Sequence, residues 1–284
     1  MRIGFIGAGR VGFTMGKYLK LSGADISGYY SRNAEHARDA ADFTDTSFYE
    51  KAEDLIKSSD AVILTVSDGA IKTVFDEIKT YPELAGKIVC HTSGSLSSSV
   101  FEDTEIQVYG YSIHPIYAVS DRYASYKEFS KAYLTIEGHE KYLNDLADIF
   151  RSAGMRVGIM DAANKTKYHA SCVMASNLVC GLYAGAVDLL TDCGFEKSQA
   201  EEMLLELFKA NADGIAERGV VAQLTGPIDR NDVKTVEAHL ASVGPEVKSL
   251  YVEASKKVLK VAKEKNPDED YNAMAILLEN AGVY

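Results

Sequence analysis

Residues 2–12, Arg2-Ile3-Gly4-Phe5-Ile6-Gly7-Ala8-Gly9-Arg10-Val11-Gly12, decide the fold of this chain. An apolar strand, Ile3 to Ile6, runs directly into Gly7-x-Gly9-x-x-Gly12. An amphipathic helix follows, carrying Val11, Met15, Tyr18 and Leu19 on one face. In such a turn the first glycine permits the tight bend, the second admits a pyrophosphate close to the backbone, and the third lets the helix pack on the strand. Unpaired N–H groups and the macrodipole at the helix start favour negative charge there. The stretch Gly7, Ala8, Gly9, Arg10, Val11 and Gly12 therefore predicts a dinucleotide site. The competing reading is a glycine-rich turn with no ligand.

Working outward, the second strand ends at Tyr30, about 20 residues past the glycines, where an NAD site carries Asp or Glu. This chain has Ser31-Arg32-Asn33 there, with no acid before Glu35. An acid would repel a 2′-phosphate, whereas Ser31 and the planar fork of Arg32 would bind one. NADP is the expected cofactor. Otherwise Arg32 is a solvated residue opening the next helix.

The chain has 284 residues, long enough for two domains and a substantial core. Its net charge of −11 and lack of a basic run argue against nucleic acid or an anionic membrane as partner. Cys90, Cys172, Cys180 and Cys193 show neither CxxC nor metal spacing and have apolar neighbours, as reduced thiols in the cytoplasm would. No signal peptide is read, because the N-terminal apolar run is consumed by the first strand. Ala170 to Val187 carries no charged residue and is long enough to be weighed as a membrane span. Its Ser171, Ser176 and Asn177, with Lys167 and Asp188 close by, favour instead a long helix buried on all sides at a subunit interface.

Strand and helix patterns alternate up to Met160, which predicts an α/β fold with a doubly wound parallel sheet. Strands are expected near Ile26–Tyr30, Thr46–Phe48, Ala61–Val66, Lys87–His91, Val108–Ile113, Ala132–Ile136 and Arg156–Met160. Beyond Met160 the pattern is helical, opening with one helix from about Ala162 to Asp192. The expected domains are residues 1–160, dinucleotide-binding, and 161–284, all-α.

Polar groups at the strand ends are the candidate chemistry, since ligands gather there in such sheets. Val66-Ser67-Asp68 follows one strand near the cofactor, although Asp68 alternatively caps the next helix. Ser93 and Ser95, in His91-Thr92-Ser93-Gly94-Ser95, offer hydroxyls to a substrate carboxylate or carbonyl, or simply form a turn. His114 precedes Pro115, which holds the chain extended and gives the imidazole a defined direction. Histidine titrates near neutrality and suits the proton transfer that accompanies hydride transfer. On an uninterrupted helix Lys165, His169 and Ser176 share one face, with Asn177 on its flank. That face opens on a cleft or meets an internal polar network. Arg230, in the loop Leu224–Asp232, is a candidate for an anionic substrate group or an ion pair.

Taken together, the glycine fingerprint, HTSGS (91–95), SIHPIYAV (112–119), KYHASCVMASN (167–177) and LTGPIDRND (224–232) resemble one family over nearly the full length. It pairs a Rossmann-like NADP-binding domain with a helical C-terminal domain of unknown function, in the 6-phosphogluconate-dehydrogenase-like superfamily. The resemblance implies an NADP-linked oxidoreductase whose helical domains dimerise. Prephenate dehydrogenases are more distantly similar; their His-Pro matches His114-Pro115, and their serine turn corresponds loosely to Ser93 or Ser95. Their Ser-His pair is Ser176-Asn177 here, and the lysine of related hydroxyacid dehydrogenases is replaced by Val173. The expectation is hydride transfer with a small carbonyl, imine or alcohol, with His114 as acid or base. Ser93 or Ser95 anchors the substrate, and His169, Asn177 and Arg230 form a second-domain wall. The rival expectation is a non-catalytic NADP-binding sensor or scaffold.

Overall fold

A computed structural model describes residues 1–282. The chain divides into two compact units, Met1–Val173 and the residues from Met174 onward. In the first unit, β1 (Arg2–Ile6), β2 (Asp25–Tyr30), β3 (Ser47–Phe48), β4 (Ala61–Leu64), β5 (Ile88–His91), β6 (Tyr109–Ile116), β7 (Tyr133–Gly138) and β8 (Arg156–Ile159) form one sheet. Its order is β3-β2-β1-β4-β5-β6-β7-β8. The intervening helices are α1 (Arg10–Leu21), α2 (Ala34–Thr44), α3 (Ala52–Lys57), α4 (Asp68–Ile78) and α5 (Leu143–Ser152). Apolar residues cover both faces. On β4, Ala61 and Ile63 join one buried layer with Phe5, Phe13 and Tyr29, while Val62 and Leu64 join the other with Leu55 and Phe75. Continuous apolar strands such as Ala61–Leu64 are what burial on both faces demands.

This is a Rossmann-like arrangement with one departure from a wholly parallel sheet. β7 runs antiparallel to β6, whereas the other pairs are parallel. Between β6 and β7 the chain has only a short 3-10 turn, Ser125–Lys131, and no α-helix for a crossover. The antiparallel register sets Thr135 opposite His114 and Glu137 opposite Ser112.

The first unit also continues past Asp161, where the change of pattern suggests a boundary. The first turns of α6 (Lys165–Ala175) belong to it, and Lys165 is 2% exposed. The single helix expected from Ala162 to Asp192 is broken. Ser176 leaves the helical region (φ −131, ψ −79) between α6 and α7 (Asn177–Asp192). Serine and asparagine side chains compete for local hydrogen bonds, and here Ser176 Oγ donates to Asn177 Oδ1 at 3.0 Å. The helical phase is lost at that point, so Ser176 does not continue the Lys165–His169 face.

The second unit is helical: α7, α8 (Lys197–Gln223, broken at Gly219, φ +82), α9 (Val233–Ser242), α10 (Pro245–Lys265) and α11 (Asn272–Ala281). Its core is built by Val236, Leu240, Val252, Leu259, Met274 and Leu278 from α9, α10 and α11. Burial of α7 on all sides is not found in the single chain. The 162–192 stretch is long and apolar enough to cross a membrane, yet only 11% of its most apolar window is buried. Leu178 and Leu182 are exposed because the core of this unit is completed without them.

Candidate active site

Because β1, β4, β5 and β6 are parallel, their carboxyl ends share one edge of the sheet. The turns after β1, β2 and β4 enclose a cavity of about 410 Å³ there. Gly7, Ala8, Gly9 and Arg10 line it, as do Ser31 and Arg32, and Val66 and Ser67. Gly7 has φ +103 and a Cβ there would lie 2.9 Å from the Thr65 carbonyl oxygen, so only glycine fits the bend. Gly12 and Val11 are not among the lining residues. A Cβ on Gly12 would lie 2.5 Å from Thr65 Oγ1, so this glycine serves the packing of α1 on the sheet. No side chain caps α1 at Gly9, which leaves the first-turn N–H groups for a ligand. The cavity thus has the uncapped helix start, cations and apolar walls that a nicotinamide dinucleotide requires.

Beside this cavity, the residue after Ser67 is hydrogen-bonded to the turn that follows β5. Ser67 is the cap residue of α4, and Asp68, next to it, reaches away from the helix. Its Oδ2 accepts from Ser93 Oγ and Ser95 Oγ, both at 2.8 Å. The turn after β5 is pinned from below by His91, which is fully buried. Nδ1 of His91 accepts from the Ser93 amide at 3.2 Å, and Nε2 donates to the Ser97 carbonyl at 3.2 Å. Burial pushes His91 down to about 4, with Lys165 adding to the shift, so both bonds are made by a neutral ring.

Gly94, held in that turn, leaves no room for a side chain beside two imidazoles. A Cβ there would lie 2.8 Å from His114 Nε2 and 2.9 Å from His169 Cδ2. The other nitrogen of His114, Nδ1, is 2.6 Å from Tyr168 Oη. Thr135 donates to the same phenolic oxygen at 2.8 Å and lies 3.4 Å from the His114 carbonyl oxygen. Nε2 of His114 is on the side of the ring toward Gly94. Burial, reinforced by the Lys165 ammonium and by His169, pushes His114 down to about 4. This corrects the picture of a group titrating near neutrality: at neutral pH His114 is uncharged. Burial likewise raises Tyr168, which keeps its phenol protonated.

Besides the Asp68 carboxylate, the cluster holds the buried side chain of Lys165. Its Nζ donates to Ser112 Oγ at 2.6 Å and lies 5.3 Å from the Tyr168 ring centroid. Burial lowers its basicity while Glu137 opposes the shift. Glu137 is itself occupied, accepting from the Ser98 amide at 2.9 Å and Ser98 Oγ at 2.7 Å. Among the described residues no carboxylate lies within ion-pair distance of Lys165.

Ser93, Ser95, His114 and His169 therefore meet in the first unit, so His169 is not part of a second-domain wall. Asn177 and Arg230 lie in the second unit. Arg230 is exposed, and the loop turns its neighbour Asp229 inward to pair with Lys265 at 2.9 Å.

Residues 2–93 match the family described as NADP oxidoreductase coenzyme F420-dependent, and residues 132–258 match a domain of unknown function, DUF2520. The chain is thus similar over two separate stretches to an NADP-oxidoreductase family and to DUF2520. None of the curated proteins matches it. A Thermotoga maritima protein of known structure is 26% identical, with a TM-score of 0.75 over 93% of this chain and 99% of that one. A pyrroline-5-carboxylate reductase from Coxiella burnetii is 18% identical, with a TM-score of 0.60 over 93% and 97%. An NADH-preferring ketol-acid reductoisomerase from an uncultured archaeon is 16% identical, with a TM-score of 0.68 over 99% and 92%. These last two likenesses concern the fold.

Sequence reasoning misses Ser112, Thr135 and Tyr168 as residues of this cluster. Ser112 and Tyr168 left a signal, since Ser112 is two residues from His114 on one strand and Tyr168 stands beside His169. Thr135 left none, because only the β6–β7 register brings it to His114.

Proposed function

We propose that the protein is an NADP-dependent oxidoreductase acting on a small carbonyl, imine or alcohol. The observation that carries this reading is that the cavity-lining Ser67 adjoins Asp68, which holds Ser93 and Ser95, in a turn whose Gly94 leaves no room for a side chain beside His114 Nε2. The bound dinucleotide supplies or accepts the hydride. Gly7–Arg10 would hold its pyrophosphate and Ser31-Arg32 its 2′-phosphate.

The residues of the chain then provide orientation and electrostatics. With the Tyr168 hydroxyl donating to Nδ1, His114 would present Nε2–H to the reacting oxygen or nitrogen. Lys165 favours negative charge developing on the substrate, because a buried ammonium without a paired carboxylate acts through a low dielectric. Ser93 and Ser95, oriented by Asp68, bind polar groups of the substrate next to the reacting centre. Asn177 and Arg230 remain candidates for substrate contact from the second unit. Replacing His114 by Ala, with folding intact, is expected to lower turnover of NADPH against a responsive carbonyl or imine about 100-fold. Unchanged turnover would remove His114 from the reaction. Absence of turnover across a broad panel of carbonyls, imines and hydroxyacids would favour a sensor.

A further inference from the structure

The stretch between β6 and the Ser125–Lys131 turn carries Arg122 into the wall of the dinucleotide cavity, alongside Arg10, Arg32 and His36. Its backbone is held by Asp121, whose Oδ1 accepts from the amides of Tyr123 at 2.7 Å and Ala124 at 2.9 Å. Its side chain is held twice. The guanidinium lies 4.5 Å from the centroid of the buried Phe13 ring, and Nη1 donates to Asp39 Oδ2 at 3.2 Å. Tyr123 Oη donates to the same carboxylate oxygen at 2.7 Å.

These contacts fix the guanidinium plane and use one of its N–H groups, leaving the rest of a pre-oriented fork at the cavity wall. Asp39 and the cavity-lining His36 are both on α2, one turn apart and so on one face. That helix begins just after Ser31-Arg32. Arg122 is therefore tethered to the end of the cavity where the adenosine ribose of a dinucleotide would lie. Opposing the four basic groups, Glu77 is the one carboxylate among the lining residues.

We propose that Arg122 is a second cation of the 2′-phosphate pocket, delivered from the β6–β7 connection to face Arg32, and so a specificity residue for NADP over NAD. This inference rests on the NADP reading above. Arginine-to-phosphate contacts are charge-assisted, and removing one is expected to weaken binding about 10- to 100-fold.

The test is fluorescence titration of the full-length protein with NADPH, NADH and 2′,5′-ADP, each binding result paired with a melting curve of the unliganded variant. R122A should weaken NADPH and 2′,5′-ADP about 10- to 100-fold while leaving NADH within about twofold. R122K, which keeps charge but loses the fork, should fall between wild type and R122A. Unchanged NADPH binding in R122A, or equal losses for NADPH and NADH, would overturn the proposal. If wild type binds NADH as tightly as NADPH and R32A changes neither, the NADP reading itself has failed, a different result from loss of preference in R32A alone.

Discussion

His91 and His114 are both driven down to about 4 by burial, yet the fold uses them differently. Both nitrogens of His91 are bonded to the backbone of the turn it supports, so its neutrality is structural. His114 keeps Nε2 for something outside its own strand. A depressed histidine has a definite consequence for stability. Between about pH 6.5 and 4 the unfolded chain binds a proton that the native chain does not, so stability is lost as pH falls through that window. For the fully buried His91 the loss amounts to about 3 kcal/mol. Urea unfolding at pH 7 and pH 4.5 should show the acid loss clearly reduced in H91Q, whose amide can still donate to Ser97. Equal acid losses in variant and wild type would mean that the proton finds His91 in the folded protein.

At the scale of elements, the site is where the turn after β5 meets β6, β7 and the first turns of α6. α6 contributes Lys165, Tyr168 and His169, neighbours at helical spacing, to a sheet edge that already holds Ser112, His114 and Thr135. Gly94 is the hinge of this meeting. Its backbone is not in the positive-φ region, so alanine is conformationally allowed there, but the new methyl would press on both imidazoles. Gly94→Ala should therefore displace His114 and lower turnover about 10- to 100-fold, with melting temperature changed little. Turnover at the wild-type level would show that Nε2 of His114 is not aimed at the reacting atom. The spacing of Ser112 and His114 on β6 was legible in the sequence, as was the glycine turn. The contribution of Thr135 was not, since sheet register is a long-range property.

In the whole molecule, the two units spend their apolar residues differently. The first covers both faces of its sheet, whereas α7 and α8 bury little beyond Gly185, Val187, Ala200 and Gly214. Leu178 and Leu182 on α7, and Leu207 and Phe208 on α8, are left exposed. Apolar surface on this scale is costly in water, and a second copy of the chain would present the same complementary faces. The protein is accordingly expected to be a homodimer through α7 and α8. Sedimentation at micromolar concentration should give a dimer, and Leu182→Glu should shift it to monomer. A monomeric wild type would leave these faces to another partner.

The sequence alone determined the nucleotide-binding half. The glycines, the strand run before them and the absence of an acid after β2 are local signals, because turn geometry and helix-start chemistry depend on residues close in the chain. It also located His114 by its proline and marked the change to helices after Met160. Tertiary structure decided the rest. It broke the long helix at Ser176, turned β7 antiparallel and assigned His169 to the first unit. It also set the protonation of His114, since burial and the Lys165 ammonium act through space from residues distant in the chain. Arg122 joined the dinucleotide cavity for the same reason, across a stretch of sequence that carries no motif.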